Sequence, residues 1–198
     1  MKNGILFTKK EVQIMISAKE ALQKLQDGNA NYLNTTTSLG DVSLAIRKDT
    51  CENGQHPYAI IITCSDSRVI PESIFSAGIG ELFVIRVAGN VIDNHQLGSI
   101  EYAADHLGCN LVVVLGHTNC GAVGAAIEGG AKGYIKSITK EIQTAIGNET
   151  NPYKACCLNL NHSVAQIKES LHIQDTDDGL KVMGAVYHID DGHVEFLS

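Results

Sequence analysis

The chain has 198 residues, 44% of them hydrophobic, which suits one compact domain with a substantial core rather than a disordered chain. Its net charge is −7 with a pI near 5.5, and no basic run exceeds Lys9-Lys10, so a nucleic-acid partner is not expected. No apolar stretch approaches the ~20 residues that cross a bilayer, so no membrane partner is expected either.

Met1–Lys10 begins as an export signal does, but its apolar core is short and charges interrupt it at once. A cytoplasmic location is therefore expected, unless a processed precursor has lost such a segment. Ser17-Ala18-Lys19-Glu20 is a capping box that starts a helix, Ala21, Leu22 and Leu25 give it an apolar face, and Gly28 is expected to end it. Residues 34–57, with Thr35–Thr37 and several Gly and Asp, read mostly as loop. Three β-branched runs follow, Tyr58–Thr63, Leu82–Val87 and Leu111–Leu115, whose continuous apolar character implies strands buried on both faces of a parallel sheet. Between the second and third, Leu97–Leu107 has helical spacing, with Gly108 as its cap. Gly121–Ile127, Ser137–Ile146 and Pro152–Leu171 are expected helices. Gly179–His188 and His193–Leu197 read as strands around an Asp190-Asp191-Gly192 turn.

The expected fold is α/β, with a three-layer α/β/α arrangement, a mainly parallel central sheet and an antiparallel C-terminal edge strand, preceded by an N-terminal helical arm. The whole chain, 1–198, reads as one domain, with the arm at 1–33 and the chemistry-bearing core at 55–198.

Cys64-Ser65-Asp66-Ser67-Arg68 falls just past the first strand, and His117-Thr118-Asn119-Cys120 follows the third after Gly116. Ligands of open α/β sheets gather at the carboxyl ends of strands, so Cys64, His117 and Cys120 can converge there. At i and i+3, where a helix is expected to begin, His117 and Cys120 would share one face of a turn. Two thiolates and an imidazole are a donor set that zinc prefers. A structural site has no need of Asp66 and Arg68, and their presence points to a metal with one open coordination position. A phosphatase loop, a Cys-x-x-Cys redox pair, Gly-x-Gly-x-x-Gly and a Walker loop are all unmatched. The six cysteines are not expected to form a disulfide framework, and the adjacent Cys156 and Cys157 read as inert buried thiols.

Cys64-Ser65-Asp66-Ser67-Arg68 together with His117-x-x-Cys120-Gly121 resembles the signature of the β-class carbonic anhydrases. The likeness runs from about Ser17 to the C-terminus and includes Arg86-Val87-Ala88-Gly89-Asn90 and Gly184-Ala185-Val186-Tyr187. The resemblance implies one Zn2+ per subunit on Cys64, His117 and Cys120, with Asp66 as a conditional fourth ligand that Arg68 holds off when the site is open. It implies that Gln55 binds a substrate oxygen, that Val69, Phe83 and Tyr102 line a carbon dioxide pocket, and that Gly121 lets the backbone approach the site. It further implies a homodimer or tetramer with the pocket at the dimer interface, so that Gln55, Phe83 and Tyr102 act across subunits. Some relatives carry a tryptophan three residues before the first zinc cysteine as part of a regulatory bicarbonate site. Ile61 stands there, the chain has no Trp, and that site is not expected although Arg86 matches its arginine.

The implied reaction is reversible hydration of carbon dioxide to bicarbonate and a proton by zinc hydroxide. The reference pKa of about 7 for the coordinated water is that of a carbonic anhydrase with three histidines, and two anionic thiolates should place it somewhat higher here. His56 is the nearest candidate for exporting the proton, on proximity to Gln55 alone. Two other readings stay open on the sequence: a carbonyl sulfide or carbon disulfide hydrolase on the same fold, and a non-catalytic zinc scaffold.

Overall fold

The computed structural model describes residues 16–34, 40–173 and 179–197. The Met1–Lys10 segment and the Thr35–Thr37 run lie outside them. Along the chain the elements are α1 (Ala18–Asn34), α2 (Leu44–Asn53), β1 (Ala59–Thr63), α3 (Pro71–Ile74), β2 (Leu82–Arg86), a 3-10 turn (Ala88–Asn90), α4 (Asn94–Leu107), β3 (Leu111–His117), α5 (Gly121–Glu128), α6 (Ile135–Ile146), α7 (Pro152–Ser170), β4 (Lys181–Tyr187) and β5 (Val194–Phe196). The five strands form one sheet in the order β2-β1-β3-β4-β5, parallel from β2 to β4, with β5 antiparallel at the edge.

All five residues of β1 and all seven of β3 are buried, as continuous apolar strands between two helical layers should be. Alternation sorts their side chains. Ala59, Ile61, Val113 and Leu115 pack with Ala21 and Leu25 of α1 and Ile74 of α3 on one face. Ile60, Ile62, Val112 and Val114 pack with Ile100 of α4 and with Leu160 and Ile167 of α7 on the other. A third cluster joins Cys64 and Cys120 to Val123, Ile142 and Ala155, and so roofs the carboxyl end of the sheet with α5, α6 and α7.

Four expectations need correction. α1 does not end at Gly28 but continues to Asn34. Gly28 packs so closely on the Phe75 backbone that a Cβ there would collide with the Phe75 carbonyl. The next residue, Asn29, is buried, donates to the carbonyls of Ile74 and Gly192, and accepts from the Val194 amide. Those tertiary bonds carry the helix through a glycine that propensity alone would place at its end.

Residues 34–57 are not all loop, since α2 occupies Leu44–Asn53. Ser43 caps it by accepting from the Ile46 amide, and Gly54 closes it at φ 87°. The helix buries no residue, so no apolar period marks it in the sequence. α4 starts at Asn94, three residues before the apolar pattern, because Asp93 and Gln96 form a capping box. Finally, β3 runs through Gly116 to His117, whose Cα partner on β4 is Tyr187. His117 is therefore the last strand residue, and Cys120 is the N-cap of α5.

Candidate metal centre

The carboxyl ends of β1 and β3 lie side by side, with Thr63 paired to Leu115. The Thr63 hydroxyl donates to the Leu115 carbonyl at 2.7 Å, fixing the two ends together. Cys64 leaves β1 one residue later, His117 ends β3, and a tight turn through Asn119, at φ 55°, brings Cys120 back. Asn is one of the few non-glycine residues that adopts this left-handed conformation readily. The ligand atoms of Cys64, His117 and Cys120 all lie within 4.8 Å of one another, and all three residues are buried.

The donor set fits a zinc ion on three counts. His117 Nδ1 lies 2.9 Å from the Thr118 carbonyl, a bond that needs a proton on Nδ1 and so leaves a lone pair on Nε2. That Nε2 is buried and has no hydrogen-bond partner, an arrangement that costs free energy unless an electrophile occupies it. The Cys64 and Cys120 sulfurs are 4.0 Å apart. The neighbouring Cys120 sulfur, His117 and the Gly89 N–H at 3.2 Å hold the Cys64 thiol below its ordinary range. Cys120 is pushed up by the Cys64 sulfur and by burial. A thiol that ionises readily beside a second thiol is a donor pair that a divalent cation can take up by displacing protons. By contrast, burial pushes Cys109 up to about 11 and Cys156 to about 12, as befits inert thiols.

Asp66 stands beside this cluster, its Oδ2 3.9 Å from His117 Nε2. Arg68 holds the carboxylate with a two-pronged grip and its own backbone N–H. The grip keeps the Asp66 carboxyl well below the usual carboxylate range. Arg68 also donates to the Asn119 carbonyl at 3.1 Å, tying the β1 loop to the β3 loop. Gly121, the first residue of α5, is exposed, and a Cβ there would meet nothing within 4 Å.

The remaining candidate residues divide in two. Val69 is fully buried and packs on the α1 face near the centre. Gln55 precedes β1, and Phe83 pairs with Ile60 near the start of β1, so both lie toward the amino end of the sheet. At about 3.3 Å per residue, Phe83 is roughly 13 Å along the strand from the level of Cys64. Tyr102 on α4 contacts Phe83, ring centroids 6.2 Å apart, and is 48% exposed. Gln55 and His56 are exposed as well. Within one chain, Gln55, Phe83 and Tyr102 therefore do not join Cys64, His117 and Cys120.

Arg86 entered the sequence reading through the Arg86–Asn90 likeness and as a match to a regulatory arginine, with no role at the centre, yet it reaches there from the end of β2. Its Nε donates to the Cys64 carbonyl at 3.2 Å and its Nη2 to the Asp66 carbonyl at 2.7 Å. A β-strand end paired with Thr63 is the signal that could have found it.

Comparison with known proteins agrees with this geometry. The family described as Carbonic anhydrase matches residues 59–194. The carbonic anhydrase of Mycolicibacterium smegmatis is 35% identical over 191 residues, covering 90% of this chain and 92% of that protein. Among solved structures, the β-carbonic anhydrase CafA of Aspergillus fumigatus superposes with a TM-score of 0.67 at 25% identity, covering 91% of this chain and 90% of that one. A tetrameric β-carbonic anhydrase from Sordaria macrospora gives 0.64 at 24% identity over 78% of this chain and 91% of its own.

Proposed function

This chain belongs to the β-carbonic anhydrase family and is a carbonic anhydrase, and from that premise we propose that it binds one zinc ion per chain and interconverts carbon dioxide and bicarbonate. The observation that carries the proposal is the orphaned Nε2 of His117 beside two buried cysteine sulfurs, with an Arg-held carboxylate alongside. Zinc bound there supplies Lewis acidity, lowering the pKa of water far below its bulk value.

The residues of the chain then divide the work. Cys64, His117 and Cys120 bind the ion, and the Thr118 carbonyl keeps the imidazole in the tautomer that ligation requires. Asp66 presents an anionic oxygen on the metal side of the site, where it would accept a hydrogen bond from the attacking oxygen, which keeps its proton and has its lone pair aimed at carbon. The Arg68 fork keeps Asp66 from becoming a fourth ligand. Gly121, next to Cys120, lets the backbone approach the site.

Val69 lines the pocket from below in this reading. Gln55, Phe83 and Tyr102 serve the centre of a second copy, because in their own chain they sit toward the other end of the sheet. The assembly is a homodimer, or a tetramer built from dimers, and the tetrameric Sordaria relative supports that order. Among the described residues no helix is long and apolar enough to cross a membrane. In this reading the protein is cytoplasmic. The reading treats 1–198 as one such domain.

Stopped-flow hydration of carbon dioxide, run beside carbonyl sulfide and carbon disulfide hydrolysis, tests the assignment. Rapid hydration with slow hydrolysis is expected. The reverse order would replace the substrate, and no activity on any of the three would leave a scaffold role.

A further inference from the structure

The Gly89 peptide N–H lies 3.2 Å from the Cys64 sulfur, and nothing in the motifs explains what keeps it there. Gly89 belongs to the 3-10 turn after β2, at φ 69°, followed by Asn90 at φ 47°. Two consecutive left-handed residues, one of them not glycine, are costly and persist only where neighbours hold them. The neighbours are on α7. Asn159 Nδ2 donates to the Gly89 carbonyl at 2.8 Å, and Ser163 Oγ donates to the Asn90 carbonyl at 3.1 Å. Both side chains are only 2% exposed, and they sit four residues apart, hence on one face of the helix. From the far side, Ile142 and Ala122 close on Gly89, so that a Cβ would meet them at 2.7 Å and 3.1 Å. Gly89 is thus pinned between Asn159 and Cys64.

We infer that Asn159 is a positioning residue for the metal centre, gripping the Gly89 carbonyl so that the Gly89 N–H stays on the Cys64 thiolate. The inference rests on the metal reading above. Burying a carboxamide in a helix–sheet interface is costly unless it is bonded, and a side chain serving packing alone would be apolar. An N–H directed at a ligating thiolate withdraws electron density from sulfur and makes it a weaker donor. The metal is then left more electrophilic than two free thiolates would leave it.

Cobalt(II)-substituted protein reads this directly, because its sulfur-to-cobalt charge-transfer bands report the thiolate's electron density. Asn159→Ala should move those bands to longer wavelength, because sulfur relieved of the N–H becomes the stronger donor. Ser163→Ala removes the neighbouring buried bond from the same helix to the same turn, and should leave the bands in place. Asn159→Ser is the milder variant should the alanine chain not fold, and the same direction of shift is required of it. In the cadmium-113 form of the unaltered protein, the Gly89 amide proton should show coupling to the metal through the hydrogen bond. Unmoved bands in a cobalt-loaded Asn159 variant, an equal shift in Ser163→Ala, or no coupling at Gly89 would each overturn the inference. If the unaltered protein showed no sulfur-to-cobalt bands at all, the metal reading itself would fail instead.

Discussion

Arg68 grips Asp66 in a fork, with Nε 2.9 Å from Oδ1 and Nη2 2.7 Å from Oδ2, while its backbone N–H adds a bond to Oδ1 at 3.0 Å. The geometry fixes both the charge and the direction of the carboxylate, leaving Oδ2 3.9 Å from His117 Nε2. Removing the fork with Arg68→Ala frees Asp66 to turn toward the metal ligands. Hydration kcat should fall about 10–100-fold, the usual cost of losing such a support. Arg68→Lys should recover only part of that loss, because an ammonium cannot make a planar two-point bond. Steady-state kinetics of both variants checks this, and lysine equal to arginine would show that only charge matters.

The same pair has a pH signature in stability. Asp66 titrates below its ordinary value of 3.8 in the folded chain, chiefly because Arg68 bonds its ionised form. A depressed folded-state pKa contributes stability that is complete above the unfolded value and is lost as pH falls through the folded one. The stability difference between the unaltered chain and Asp66→Asn should therefore be constant from about pH 5 to 8 and shrink below about pH 4. Urea titrations of the two chains at matched pH measure it. A gap that widened on acidification would contradict the sign.

Gly28 offers a test of packing against propensity. In an exposed helix interior, Gly→Ala stabilises by about 1 kcal/mol. Here the added Cβ runs into the Phe75 carbonyl, backbone that cannot swing aside. Gly28→Ala should instead destabilise, by about 1–3 kcal/mol, as overpacking does. Thermal unfolding decides between the two signs.

Gln55 supplies a test of the shared site. If it serves the partner's centre, Gln55→Ala and Cys64→Ser should each be nearly inactive alone. Mixed and allowed to exchange subunits, they should regain activity, because each hybrid dimer holds one complete site. No recovery, with exchange shown by mass spectrometry, would place Gln55 outside the reaction.

How far the sequence carried these conclusions depended on what each residue answers to. β1 and β3 were legible because strands buried on both faces must be apolar throughout, as Ala59–Thr63 and Leu111–Leu115 are. The convergence of Cys64, His117 and Cys120 was legible because they sit at or just past the ends of neighbouring strands. α2 was not, since it buries nothing and only its caps at Ser43 and Gly54 mark it. The continuation of α1 past Gly28 depends on Asn29 meeting Ile74, Gly192 and Val194, contacts up to 165 positions away that no local pattern contains. Arg86 and Asn159 escaped for the same reason. Each acts on a backbone carbonyl brought to it by the sheet or by α7, and a carbonyl leaves no mark in the sequence.

The central claim is that Cys64, His117 and Cys120 together hold a metal, and elemental analysis of the purified, active protein tests it most directly. The account predicts one zinc per chain in the unaltered protein and a nearly metal-free Cys120→Ser variant whose fold, by circular dichroism, is kept. Brisk carbon dioxide hydration by protein without zinc or another transition metal, or a full zinc complement in Cys120→Ser, would contradict it.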